Sequence, residues 1–180
     1  KSVGEVMSLG RTFGEALQKA VRSLEINTFS LEAPALPANL LDVLRTPNAS
    51  RLFQVGKALR EGVSHQAISE ATGYDPWFVA EIAGILDVAR RVEGHALDEL
   101  PAELLREAKL AGYADREIAR LCGVAGQEMR VRERRKALGI TPAFYRVDTC
   151  AAEFEAYTPY LYSTYEPGCE AQPSSRRKAM

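Results

Sequence analysis

The amino-acid sequence predicts a mainly α-helical fold made of two similar helical units, preceded by a strand–helix pair and followed by an extended segment. Three observations predict it. About a hundred residues from Asn39 onward carry apolar side chains three and four apart, interrupted by helix stops. Within that stretch Ala58, Gly62, Ile68 and Gly73 recur at an offset of fifty residues as Ala108, Gly112, Ile118 and Gly123. From Ala143 on, the chain becomes rich in aromatic and β-branched residues, which favour extended backbone.

The elements follow in order. Ser2 to Gly10 is a short β-branched and apolar run ending in glycine, and reads as a strand. Thr12 stands three residues before Glu15, the capping-box spacing: the hydroxyl accepts a helix N–H while the carboxylate reaches back. Phe13, Leu17, Ala20, Val21 and Leu24 then form one apolar stripe. A strand with one helix cannot cover both faces of a sheet, so residues 1–26 read as the end of a domain whose body lies elsewhere. Residues 27–38, with Pro34 and Pro37 and no helical period, read as a linker.

Asn39 opens a short helix over Leu40, Leu41 and Leu44 that stops before Pro47. Ser50 opens another, with Leu52, Val55, Gly56 and Leu59 on one side and Gly62 past its end. Ser64 starts a short helix carrying Ile68 and ending near Gly73. Asp75-Pro76 joins an N-cap to a proline at the first helical position, and Phe78, Ile82, Ile85, Leu86 and Ala89 continue as a long stripe. Asp98 is expected to cap a helix bearing Leu104, Leu105 and Ala108 and closed by Gly112. Helices at 114–122 and 125–138 complete the series, stopped by Gly139 and Pro142. Ala143–Val147 and Tyr160–Tyr165 are expected to be extended, which closes a helical domain over 39–165. Pro167, Gly168, Pro173, Ser174 and Ser175 mark a flexible linker over 166–180.

Composition bounds the function. The 180 residues carry 23 Lys+Arg against 24 Asp+Glu, a formal charge of −1, which argues against clamping nucleic acid or anionic lipid over the whole surface. No apolar run approaches the roughly 18 residues of a membrane span. The chain begins Lys-Ser-Val-Gly without Met and ends in Arg-Arg-Lys-Ala-Met, and so reads as a piece of something longer. Cys122, Cys150 and Cys169 are odd in number, with no Cys-x-x-Cys pair; they read as reduced cytosolic thiols rather than a disulfide framework or zinc site. His65 and His95 lie far in sequence from all three, so a nucleophilic cysteine would need a base brought to it by the fold.

The sharpest local signal is Gly112-Tyr-Ala-Asp-Arg-Glu-Ile-Ala-Arg-Leu-Cys-Gly-Val-Ala125, a helix-turn-helix pattern followed by Arg130, Arg132, Arg134, Arg135 and Lys136. A DNA-binding module over 112–138 is therefore the alternative reading. Glycine-turned helix pairs with a solvated basic face are also ordinary packing units, and the net +3 between residues 103 and 140 does not separate the two. His95 and Glu99, four apart, are weighed as metal ligands and read as surface or capping residues. Glu153 and Glu155 share a face only if extended, and read as solvated carboxylates. Trp77 and Phe78 read as core anchors rather than a ligand platform, and Arg11 as an exposed cation beside Glu15 rather than an anion site. No catalytic, cofactor-binding or metal-ligating residue is expected in this chain.

Three stretches together resemble the large subunit of carbamoyl-phosphate synthase. Lys1-Ser-Val-Gly-Glu-Val-Met-Ser-Leu-Gly-Arg-Thr-Phe-Gly-Glu-Ala-Leu-Gln-Lys-Ala20 is similar to the end of that family's first ATP-grasp domain. Tyr145-Arg-Val-Asp-Thr-Cys-Ala-Ala-Glu-Phe154 and Thr158-Pro-Tyr-Leu-Tyr-Ser-Thr-Tyr-Glu166 are similar to the stretch leading into the second synthetase half. The helical middle resembles the oligomerisation domain between the halves. The resemblance implies a carbon–nitrogen ligase using bicarbonate, ammonia that a separate small subunit releases from glutamine, and two ATP, with Mg²⁺ or Mn²⁺ and K⁺. It implies a cytoplasmic enzyme serving pyrimidine and arginine biosynthesis. On this resemblance 1–26 ends the carboxyphosphate-forming domain, and 39–165 connects the halves and mediates self-association. The nucleotide and metal ligands fall outside residues 1–180; Glu5 and Arg11 lie in a matching motif without an assigned role, and the segment alone is expected to be inactive.

Overall fold

The computed structural model describes residues 5–31, 40–171 and 175. Among them are α1 (Phe13–Ser23), α2 (Leu40–Arg45), α3 (Arg51–Arg60), α4 (His65–Thr72), α5 (Pro76–Glu93), α6 (Ala102–Leu110), α7 (Asp115–Leu121), α8 (Glu128–Ala137), β1 (Ala143–Arg146) and β2 (Leu161–Thr164). The fold is mainly helical with one small sheet.

The caps form as their side chains dictate. Thr12 Oγ1 accepts from Glu15 N (3.2 Å), Ser64 Oγ from Ala67 N (3.2 Å), and Asp75 Oδ1 from Trp77 N (2.8 Å). Each satisfies a helix N–H that has no carbonyl partner of its own. Ser50 begins α3 without such a bond; Asn48 Oδ1 instead accepts from Ser50 N at 2.9 Å.

The fifty-residue repeat is a structural repeat. Gly62 and Gly112 both turn left-handed (φ 85° and 92°), as do Gly73 and Gly123 (74° and 73°). Val63 N donates to Ala58 O and Tyr113 N to Ala108 O, both at 3.0 Å, the same closing bond after α3 and after α6. Ala58, Ala108, Ile68 and Ile118 are all fully buried. The units α3–α4–α5 and α6–α7–α8 share one core. Its axis is α5, whose Val79, Ile82, Ile85, Ala89 and Val92 are buried among α1, α3, α4, α6 and α7.

Three expectations are corrected. No strand forms over residues 5–10, where the backbone finds no ladder partner among the described residues; residues 2–4 of the expected strand lie outside them, as does most of the linker at 27–38. Asp98 does not cap α6: it lies in a 3-10 turn, Leu97–Glu99, and Pro101 precedes the helix. Its carboxylate receives Arg130 Nη2 at 2.9 Å instead. Pro167 and Gly168 do not begin a free tail. Tyr145 donates its hydroxyl to Pro167 O, Glu170 N donates to Phe144 O (2.7 Å) and Arg146 N to Glu170 Oε2 (2.6 Å), so this stretch folds back along β1.

The extended expectation after residue 143 becomes an antiparallel hairpin, with Ala143 opposite Thr164 and Arg146 opposite Leu161. Tyr145 and Tyr162 face each other across it, with ring centroids 6.2 Å apart.

Candidate functional site

Three of the five basic side chains on α8 bond to the protein's own groups. Arg130 is bound to Asp98 and to Gln127 Oε1 (3.0 Å), and Arg134 donates to Leu100 O at 2.7 Å. Arg135 is buried, bonded to Asp115 Oδ2 (2.9 Å) and Ile140 O (3.2 Å). Of the five cations singled out in the sequence, Arg130, Arg132 and Lys136 are exposed, Arg130 while bonded to Asp98, and Arg134 and Arg135 are withdrawn from solvent. A recognition helix needs its cations free for phosphates and base edges. Here most of them join α8 to α7 and to the turn before α6, and the DNA-binding alternative finds no support.

The other candidates do not converge. Cys122 is buried, its thiol pushed up by burial, while Cys150 is half-buried and Cys169 exposed; all three are free. His95 closes α5 through its backbone N–H to Val92 O, and Glu99 is exposed. Among the described residues no three His, Cys, Asp or Glu side chains group as a metal site would. Glu153 and Glu155 are exposed in the turn between β1 and β2, where Glu155 Oε2 accepts from Tyr157 O–H at 2.8 Å. The Arg11 side chain lies over the Tyr145 ring (5.3 Å), and its bond with Tyr162 raises its pKa; only its backbone N–H goes to Glu15 (2.8 Å). Glu5 is exposed. A cleft of about 570 Å³ between α3, α4 and α5 contains Arg60, His65, Asp87, Arg90 and Glu93. Its charges pair with one another, Arg90 with Asp87 (2.5 Å) and Arg60 with Glu93 (3.6 Å).

What the structure does assemble is a junction between the two extended ends. Glu15, buried on α1, accepts from Thr164 Oγ1 on β2 at 3.1 Å and pairs with Lys19 at 2.9 Å. Lys19 Nζ also donates to Leu9 O (2.8 Å) and to Ser163 O, so one ammonium holds the incoming and the outgoing strand of chain. Behind it, Asp115 bridges Lys109 Nζ (2.7 Å) and Arg135 Nε, and the Tyr165 ring lies 4.9 Å from Lys109 Nζ and 5.6 Å from Arg135 Cζ. Burial pushes the Lys109 ammonium down, against Asp115, which favours its charged form; burial pushes the Tyr165 hydroxyl up. Arg22, lowered by burial as well, donates to Gly112 O and joins α1 to the second repeat unit. Sequence reading missed this junction because its members are up to 149 positions apart.

The described residues thus form a helical block whose two ends meet at one junction. The family model described as the oligomerisation domain of the carbamoyl-phosphate synthetase large chain matches residues 5–139, and the chain belongs to that family. The whole chain is 46% identical to the carbamoyl phosphate synthase large chain of Myxococcus xanthus and 45% to that of Archaeoglobus fulgidus. Over 96% of its length it is 50% identical to the corresponding large chain of a Mycobacterium species. The chain spans 17%, 17% and 16% of those relatives respectively.

Proposed function

We propose that this chain is the connector between the two synthetase halves of a carbamoyl-phosphate synthase large chain, and that it also brings copies of that chain together. In the full enzyme bicarbonate, ammonia from glutamine and two ATP give carbamoyl phosphate, with Mg²⁺ or Mn²⁺ and K⁺ serving the flanking ATP-grasp halves. A small glutaminase subunit is the partner that supplies ammonia. We place the enzyme in the cytoplasm, feeding pyrimidine and arginine synthesis; no helix among the described residues is long and apolar enough to cross a membrane. Residues 1–26 belong on this reading to the first half, and 166–180 lead to the second. The segment itself performs no chemistry.

The observation that carries the reading is the Glu15–Thr164 bond, which ties the incoming helix to the outgoing strand inside the protein. Carboxyphosphate and carbamate decay in water, so halves that hand them over must stay in register. Thr164→Val removes the hydroxyl with little change of shape. In the full-length enzyme it is expected to raise ATP consumed per carbamoyl phosphate above two, while bicarbonate-dependent ATP hydrolysis by the first half persists. Unchanged stoichiometry, with the hairpin shown by hydrogen exchange to be loosened, would refute the connector role.

A further inference from the structure

Trp77 and Phe78, expected in the core, are instead 53% and 43% exposed at the start of α5, and pack edge-on against Phe13 at 5.4 Å. The start of α1 thus borders apolar surface. Its other end carries a charge that the fold leaves over. Of the cations gathered at the junction, Lys19 bonds to Glu15, and Lys109 and Arg135 share Asp115. No carboxylate among the described residues bonds to Arg22. Its Nη1 donates to Gly112 O, and Glu15 acts on it only through space. Burial lowers its pKa, as for a charge drawn from water with too few partners. A guanidinium fans several N–H donors across a flat fork, and most of this fork is unused within the fold.

Arg22 opens on a cavity of about 440 Å³, lined also by Ser8, Leu9, Lys19, Tyr162 and Ser163. No acidic side chain lines it. Lys19 Nζ is fully engaged with Glu15, Leu9 O and Ser163 O, so it lends the cavity charge and not a free N–H. Ser8 Oγ is turned away, to Ala16 O at 2.7 Å. Ser163 offers a hydroxyl from an exposed position on β2. Met7 and Leu9, 88% and 42% exposed, give the cavity an apolar side. We propose that this cavity binds a small organic oxyanion. The Arg22 fork takes its phosphate or carboxylate group, the Ser163 hydroxyl stands beside that group, and its apolar body lies against Met7 and Leu9. Arginine holds such groups through paired, parallel N–H bonds, which a lysine cannot reproduce. The volume is that of a small-ligand pocket, so there is room for a body as well as a charge. Leu9 precedes α1 and Ser163 belongs to β2, so one ligand touches the incoming and the outgoing chain together. The inference needs only the cavity and Arg22, and stands apart from the connector role.

Phenylglyoxal labelling of the full-length large chain, followed by peptide mass spectrometry, reads Arg22 individually whatever other anion sites the enzyme has. The probes are inorganic phosphate and phenyl phosphate, each compared with sodium chloride at equal ionic strength. Phosphate at about ten times its midpoint concentration is expected to slow labelling of Arg22 about tenfold, with exposed Arg132 unaffected. Phenyl phosphate should give the same protection at a lower concentration, because its ring covers Met7 and Leu9. Arg22→Gln keeps an amide donor for Gly112 O and removes the charge. Phosphate should slow hydrogen exchange at residues 7–9 and 161–164 in wild type and not in this variant. Wild-type labelling decides the matter alone if the variant does not fold. Labelling slowed no more by phosphate than by chloride overturns the site. Equal midpoints for the two probes overturn the organic ligand. Arg22 that resists the reagent before any anion is added, while Arg132 reacts, also overturns it, since the rest of the polypeptide then closes the fork to a ligand.

Discussion

Gly62 and Gly112 occupy equivalent turns, both left-handed, yet their surroundings differ. A Cβ at Gly62 would meet nothing within 4 Å, whereas at Gly112 it would lie 2.8 Å from Gln18 Cβ and 2.9 Å from Glu15 Cα. Gly62→Ala thus incurs only the left-handed backbone cost, about 1 kcal/mol. Gly112→Ala adds a collision with the α1 backbone, and overpacking of that kind costs about 1–3 kcal/mol more. Urea unfolding of the two variants should rank them in that order; equal losses would show that α1 does not sit on the second unit. The repeat itself was readable, since glycine recurs where φ is positive. The difference between its copies was not: nothing near Gly112 in sequence announces a helix ninety residues upstream.

At the level of elements, the caps of α1, α4 and α5 were legible because a cap is local: a hydroxyl or carboxylate reaches an N–H two or three residues on. Asp98 looked equally good, but Pro101 starts α6 later and leaves Asp98 free to meet Arg130. The N-terminal strand failed for the complementary reason, since a short apolar run is a strand only with a neighbour to pair with. The joint of α6, α7, α8 and β2 yields a pH-dependence. The folded pKa of Lys109 lies below its ordinary 10.5, so between those values the unfolded chain binds more protons than the native one. Its contribution to stability is present above 10.5 and is lost as pH falls through the folded value. Lys109→Met leaves Asp115 with Arg135 and removes that gain. The stability difference between wild type and variant should therefore move in favour of wild type as pH rises toward about 10.5, read by urea unfolding at several pH values. A pH-independent difference would mean that Lys109 is not proton-linked to folding.

For the whole molecule, α5 decides cooperativity. Ile82, 2% exposed, lies in a stripe that both repeat units share. Ile82→Ala should cost about 2–5 kcal/mol, with helix loss by circular dichroism and exposure of the Cys122 thiol to a disulfide reagent shifting together. Separate transitions would divide the domain at the repeat boundary. Stripes on α3 to α6 made this core legible from spacing alone. Trp77 and Phe78 were not legible as surface, because one sequence looks the same whether an apolar ring faces its own core or a neighbour.

Lys19 holds Leu9 O with the same ammonium that reaches Ser163 O, so the polypeptide departs from and comes back to nearly one doorway. A protein interrupted there experiences the intervening residues much as it would a short loop, however many they are. The block can accordingly be exchanged between relatives as a cartridge, with the host's backbone crossing at two adjacent points and its own geometry undisturbed.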